Sequence, residues 1–419
     1  MKHSLILTAS ACVVAMAACN SDNEEKNTPY VAIELTQAQT RACVQNNDFA
    51  LSYLKANEDA QTALNAGNVD AENTVVSPFT VYGALGMLAN GASGETRREI
   101  VDAVGFDDID AVNSYYMTLA SALPKADRKT DIRFASSVWL HPELPLKENY
   151  LQTLATYYNT ESHALSDDPA QSVKEINKWA SEKTGGKISS FLKTLNNDVR
   201  TALYTATYFK GKWAEVFKKE NTAMEDFHKE DGSFLKKTAM MNKDDVVNWY
   251  HHDKWDAIDL DYGNSTYRMT VVLPAEGTGI RECLDALSPA DLTSGSACFL
   301  HERKLDIKLP KFIIAPQTRD LIGVLGRMGI HRAFDPGRAE FPEMSQTGIF
   351  FDTFHQSTMI NVDEEGTEAS SVAGGSGAIL SPGPAQGCFY ADRPFIFLIR
   401  ERSTGTILFA GILRNPQYV

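Results

Sequence analysis

One segment near the C-terminal end of this chain constrains its fold more than any other. From Val362 to Pro382 it reads VDEEGTEASSVAGGSGAILSP, and between Gly366 and Gly387 the only charged side chain is Glu368 while six positions are glycine. A loop of this length inside a compact domain is functional or disordered. Two strong strand candidates follow it, Pro394–Arg400 (PFIFLIR) and Thr406–Arg414 (TILFAGILR), so the loop is tied at both ends. Read at a period of two, one face carries Thr367, Ala369, Ser371, Ala373, Gly375, Gly377 and Ile379. Nothing charged lies on that face, so it can enter a packed sheet without burying a charge. The opposite face, with Glu368, Ser370, Val372, Gly374, Ser376 and Ala378, suits contact with water. The segment can be an exposed loop or an inserted strand.

The residues around the loop occur in a recognisable order. Glu364-Glu365-Gly366-Thr367-Glu368-Ala369 resembles the hinge of the serpins, and Arg393–Phe397 with Gly405–Gly411 resembles their C-terminal strands. Upstream, Asn73–Thr80, Met87–Ala92, Tyr208–Trp213, Val271–Pro274, Leu309–Phe312 and Ala333–Pro336 follow in the same family order. The likeness spans about residues 31–419. It implies an α+β fold: one serpin-like domain with helices packed around a large central mixed β-sheet, smaller sheets beside it, and an exposed reactive loop at about 364–391.

The function implied is inhibition by a spring. A protease cuts the loop and is held as an acyl-enzyme; the freed loop then inserts into the central sheet, releasing strain stored in the intact fold. The resemblance assigns Glu364, Glu365, Gly366, Thr367, Glu368, Ala369, Ser370, Ser371, Val372 and Ala373 to the hinge. Counting from Gly366 places the reactive bond at Leu380–Ser381, with Ala378 and Ile379 as alternatives because the loop is a few residues longer than usual. A leucine before the cut implies a chymotrypsin- or elastase-like serine protease as target, ahead of a papain-like cysteine protease. Gly374, Gly375 and Gly377 stand where many inhibitors have alanine, so insertion is expected to be slow and more inhibitor to be spent per protease trapped. Sheet opening is guarded in the family by a polar cluster matched here by Ser77, Thr80, Thr205 and Gln356, and a hydrogen bond between Thr205 and Gln356 is expected to close it. Phe209, Lys210 and Trp213 match the region where the loop first enters the sheet. The alternative is a non-inhibitory serpin acting as a surface binding or chaperone-like protein, and more remotely an adhesive surface lipoprotein that keeps the fold.

Composition narrows the partners. A net charge of −14 over 419 residues, with no basic stripe, argues against nucleic acid and against a heparin site. Hydrophobic content of 43% and aromatic content of 10% support a sizeable core. Lys2-His3 followed by the apolar stretch Leu5–Ala18 reads as an export signal over residues 1–18, too short to span a membrane. Met16-Ala17-Ala18-Cys19 resembles a bacterial lipoprotein cleavage site with Cys19 lipidated, and residues 19–30 form an acidic polar tether. The expected location is the bacterial outer membrane or cell surface, with secretion as the alternative and a monomer as the expected state. Cys43, Cys283, Cys298 and Cys388 are widely spaced without a CxxC pair, so no metal or redox cofactor is implied; a Cys283–Cys298 bridge and free thiols both remain open.

Enzyme motifs fail on inspection. Gly374-Gly375-Ser376-Gly377 lacks the closing glycine of a nucleophile elbow. Lys183–Lys187 lacks the first glycine of a phosphate loop. His251 and His252 are adjacent, and on a strand they would face opposite ways. Periodicity predicts helices over Gln37–Leu64, Ser77–Leu88, Glu95–Val104, Ser172–Glu182 and Pro316–Met328. Strands are expected at Ile132–Leu140, Ala202–Tyr208, Ala257–Tyr262, Tyr267–Leu273 and Lys304–Leu309.

Overall fold

The computed structural model describes residues 28–64, 72–367 and 384–418. The signal segment, Cys19, hinge positions 368–373 and the reactive-bond positions Ala378, Ile379, Leu380 and Ser381 lie outside the described residues. The helices are α1 (Gln37–Leu64), α2 (Pro78–Gly91), α3 (Gly94–Val104), α4 (Ile109–Ala126), α5 (Glu148–Tyr158), α6 (Pro169–Lys183), α7 (Ile280–Ala286) and α8 (Ile322–Arg327). The strands begin with β1 (Thr74–Val76), β2 (Thr130–Leu140), β3 (Glu161–Ala164), β4 (Thr201–Lys212), β5 (Ala223–His228), β6 (Phe234–His252), β7 (Trp255–Tyr262) and β8 (Tyr267–Pro274). They continue with β9 (Phe299–Pro310), β10 (Phe312–Asp320), β11 (Thr353–Val362), β12 (Gly366–Thr367), β13 (Cys388–Tyr390), β14 (Phe395–Glu401) and β15 (Ile407–Leu413).

Two sheets organise the chain. A nine-stranded sheet runs β1-β15-β14-β8-β7-β6-β9-β13, with β5 on β6; a six-stranded mixed sheet runs β10-β11-β12-β4-β2-β3. Strands β14 and β15 are buried at every position, as continuous apolar runs must be when both faces are covered. Helix α2 is almost wholly buried and lies behind the six-stranded sheet. It can approach α4 and α5 because Gly83 and Gly86 lack side chains: a Cβ on Gly83 would stand 2.2 Å from the Tyr116 ring, and one on Gly86 2.5 Å from the Tyr158 hydroxyl. Pro78 sits in the first turn of α2, where its missing N–H costs nothing. Asp108 caps α4 by accepting from the Asp110 and Ala111 amides at 3.0 and 3.3 Å.

One predicted helix is corrected. Pro316–Asp320 belongs to β10, and α8 covers only Ile322–Arg327. The register of β10 on β11 shifts between Ile314 and Gln317, a bulge that takes up Pro316, which has no N–H for a regular ladder.

Candidate functional site

Strands β4 and β11 run parallel and pair from Ala202–Thr207 against Thr353–Thr358. Beyond that ladder they part, and β12 stands between them, antiparallel to both: Gly366 faces Lys212, and Thr367 faces Gly211 on one side and Val362 on the other. The chain leaves β11 and reverses within Asp363–Gly366. The Asp363 amide donates to the Gly366 carbonyl at 2.8 Å, the Gly366 amide donates back at 3.2 Å, and Asp363 Oδ1 accepts from the Glu365 amide at 2.9 Å. Gly366 has φ of +153°, and a Cβ there would stand 2.1 Å from the Gly211 carbonyl oxygen, so both conformation and space demand glycine.

The hinge is held from several elements. Thr367 is fully buried, with its hydroxyl 2.7 Å from that of Tyr262 at the end of β7. The Tyr262 ring stacks on Trp213 at 4.3 Å between centroids. Trp213 Nε1 donates to the Asp363 carbonyl and its amide to the Glu365 carbonyl, both at 2.9 Å; the Phe217 amide donates to the Glu364 carbonyl at 2.9 Å. Glu364 lies 2.9 Å from Lys311 Nζ and accepts from Thr222 Oγ1 at 2.8 Å. Burial alone would raise the Glu364 pKa, but the bonds from Lys311 and Thr222 outweigh it and hold the carboxyl below its ordinary range. Glu365 pairs with Lys219 at 2.9 Å near the surface.

Of the predicted entry residues, Trp213 touches the hinge directly. Phe209 supports it at one remove, packed against Tyr262 at 5.1 Å. Lys210 sits opposite Asp131 in the β2–β4 ladder and makes no ion pair to the hinge among the described residues. Tyr262, Phe217, Thr222 and Lys219 were not signalled by any motif. Lys311 lies inside the quoted Leu309–Phe312 run, which carried no role for it.

The polar cluster behind the β4–β11 ladder differs from expectation. Gln356 Nε2 donates to the Ser77 carbonyl at 2.9 Å and to Thr80 Oγ1 at 3.1 Å, while its Oε1 accepts from the Ser77 amide at 3.2 Å. Thr205 is the ladder partner of Gln356, yet its hydroxyl is buried with no hydrogen-bond partner among the described residues. The expected Thr205–Gln356 bond is therefore absent, because the Gln356 amide is committed to α2. Thr207 provides the link from β4, its hydroxyl 3.0 Å from that of Thr80. Ser77 Oγ donates to the Leu408 carbonyl at 2.9 Å, tying the cluster to β15.

The discarded motifs sit in ordinary settings. His251 Nδ1 lies 2.9 Å from Asp256 and His252 stacks on Trp255. Gly185 and Gly186 form the left-handed exit of α6. Among the described residues, Cys43, Cys283, Cys298 and Cys388 are unpaired. No helix among them is long and apolar enough to cross a membrane.

A parallel pair of strands that parts around two residues of the chain's own reversal, with β12 antiparallel to both, marks a distinctive sheet architecture. The family model described as serpin (serine protease inhibitor) matches residues 44–416, and the chain belongs to that family. An uncharacterized serpin-like protein of Thermococcus kodakarensis is 30% identical over 361 residues, covering 84% of this chain and 82% of that protein. Iripin-2 of Ixodes ricinus is 28% identical over 383 residues, covering 90% and 94%. Among solved structures, the thermophilic serpin tengpin in its native state superposes with a TM-score of 0.79 at 26% identity, covering 93% of this chain and 97% of that one. Human thyroxine-binding globulin shares the fold at a TM-score of 0.79 and 24% identity, covering 91% and 100%. Family membership carries a protease-inhibitor type of function, with a protease as partner; serpins are mostly inhibitors rather than catalysts.

Proposed function

We propose that this serpin is inhibitory and traps serine proteases of chymotrypsin- or elastase-like specificity. The protease serine attacks the carbonyl of Leu380, the bond to Ser381 breaks, and the acyl-enzyme is carried off as the loop lengthens β12 down the slot. The observation that carries this reading is Thr367, whose side chain is already fully buried between β4 and β11. Continuing its period of two brings Ala369, Ser371 and Ala373 inward, none of them charged or bulky. In this reading Ser77, Thr80, Gln356 and Thr207 form the gate, Trp213 and Tyr262 line the entrance, and the chain is exported and lipid-anchored through Cys19.

Incubation with chymotrypsin and with elastase, followed by denaturing gel electrophoresis, tests the proposal. The expected result is a covalent adduct that survives denaturation, with the loop cut between Leu380 and Ser381. Cleavage without adduct would make the protein a non-inhibitory member. Thr367→Arg, which places an unpaired charge at a buried position, should abolish the adduct and turn the protein into a substrate, with at least about tenfold more inhibitor consumed per protease inactivated.

A further inference from the structure

The turn that reverses the chain into the sheet carries three consecutive carboxylates, Asp363, Glu364 and Glu365. Charges this close repel one another, so the turn depends on what meets each of them. Lys311 and Thr222 meet Glu364, and Lys219 meets Glu365. Asp363 makes no ion pair among the described residues. One of its oxygens is occupied by the amides of its own turn, and the other accepts from the hydroxyl of Tyr418 at 3.3 Å.

Tyr418 also acts on the neighbouring pair. Its ring lies 4.1 Å from Lys311 Nζ, the cation that holds Glu364. The segment following β15 is fixed at this place by the Ile313 amide, which donates to the Gln417 carbonyl at 2.8 Å. Tyr418 is 38% exposed; partial burial, and then the charge of Asp363, push the phenol up to about 12, and it is a neutral donor at ordinary pH, as an unshifted phenol would also be. One side chain from outside the sheet thus steadies two of the three carboxylates of the turn.

We propose that Tyr418 is a positioning residue for loop entry: it holds the Asp363–Gly366 turn in the inserted geometry and so favours insertion over release of the cut loop. Its kinetic consequence rests on the inhibitory reading, while its structural consequence does not. Tyr418→Phe removes the bond to Asp363 and keeps the ring over Lys311; Tyr418→Ala removes both.

Two measurements on the full chain separate the two claims. In the intact protein, hydrogen exchange of a peptide containing Gly366 and Thr367 should quicken roughly fivefold in Tyr418→Ala and about twofold in Tyr418→Phe, with peptides from β14 and β15 unchanged. Against chymotrypsin, the number of inhibitor molecules consumed per protease should rise about twofold or more in Tyr418→Ala, while the rate of first attack on the loop stays the same. Asp363→Asn should reproduce the Tyr418→Phe effect, and the two together should not add. Unchanged hinge exchange in Tyr418→Ala would overturn the proposal. So would equal loosening of β14 and β15, or a slower attack with unchanged stoichiometry. If the wild-type protein forms no adduct, the inhibitory reading fails and the exchange measurement still decides the role of Tyr418.

Discussion

The hairpin β14–β15 and the parallel pair β4–β11 are both taken out of water, yet they are built on different chemistry. In the hairpin every position is buried and nearly every side chain is apolar, from Phe395 to Ile399 and from Ile407 to Leu413. Gly411 lets the Phe397 ring lie flat across the neighbouring strand; a Cβ there would stand 2.2 Å from that ring and 2.5 Å from the Thr74 carbonyl oxygen. Arg400 closes the end by pairing with buried Asp259 at 2.8 Å and donating to Thr270 and the Leu292 carbonyl, each at 2.8 Å. The β4–β11 ladder instead brings together Thr205, Thr207, Gln356, Ser357 and Thr358. The hydroxyls of Thr205, Ser357 and Thr358 are buried there without a hydrogen-bond partner among the described residues. Each such group costs about 1–3 kcal/mol. Burial records where water has been removed; it does not record how firmly the neighbours hold.

That contrast can be broken from either side. The largest effect is expected in the closed hairpin: Arg400→Met leaves Asp259 buried without its nearer partner and should lower stability by about 3–5 kcal/mol in urea unfolding. Burial would raise the Asp259 pKa, but Arg400 and Arg268 outweigh it and hold the group at about 2, below its ordinary 3.8. A depressed folded-state value stabilises above the unfolded value and is lost as pH falls through the folded one. Acid unfolding of the wild type should therefore draw on this group between about pH 4 and pH 2, and the variant should begin to unfold at higher pH. An unchanged acid midpoint would count against the assignment.

In the β4–β11 pair the effects are smaller and of both signs. Gln356→Leu strands the Ser77 amide and takes one partner each from the Ser77 carbonyl and the Thr80 hydroxyl, which stay bonded to each other and, for Thr80, to Thr207, and should cost about 2 kcal/mol. Thr205→Val deletes a hydroxyl that has no hydrogen-bond partner among the described residues and keeps the shape, so the intact form should gain about 1 kcal/mol and, in the inhibitory reading, trap protease more slowly. A Thr205→Val protein that is less stable than wild type would mean that the hydroxyl has a partner after all.

Legibility followed the same division. Helix α1, helix α2, β14 and β15 were readable because a buried element writes its period into side chains. The hinge was readable because Gly366 and Thr367 meet demands of conformation and burial that few residues satisfy. Helices α4 and α5 and the long strand β6 went unread, their patterns diluted by residues such as Asn113, Asn149 and Asn248 that bond across the fold or face solvent. Pro316 suggested a helix start, and only pairing with β11 reveals the bulge that accommodates it. Nothing local to Tyr262, Lys311 or Tyr418 announces that they converge on one turn, since they come from three distant stretches of chain. Gln356 bonds to Ser77 and Thr80, and the expected bond to Thr205, argued from a glutamine's capacity both to donate and to accept, is replaced by bonds to the start of α2.

The reversal at Asp363–Gly366 has a consequence for how fast this sheet can grow. Joining a free segment to a sheet ordinarily begins with an improbable encounter, because chain freedom is surrendered before any ladder bond repays it. Here the first register is set on both flanks, with Thr367 aligned to Gly211 and to Val362. In the inhibitory reading proposed above, propagation resembles a zip whose slider is already seated, and its pace is governed by the parting of six residue pairs between β4 and β11.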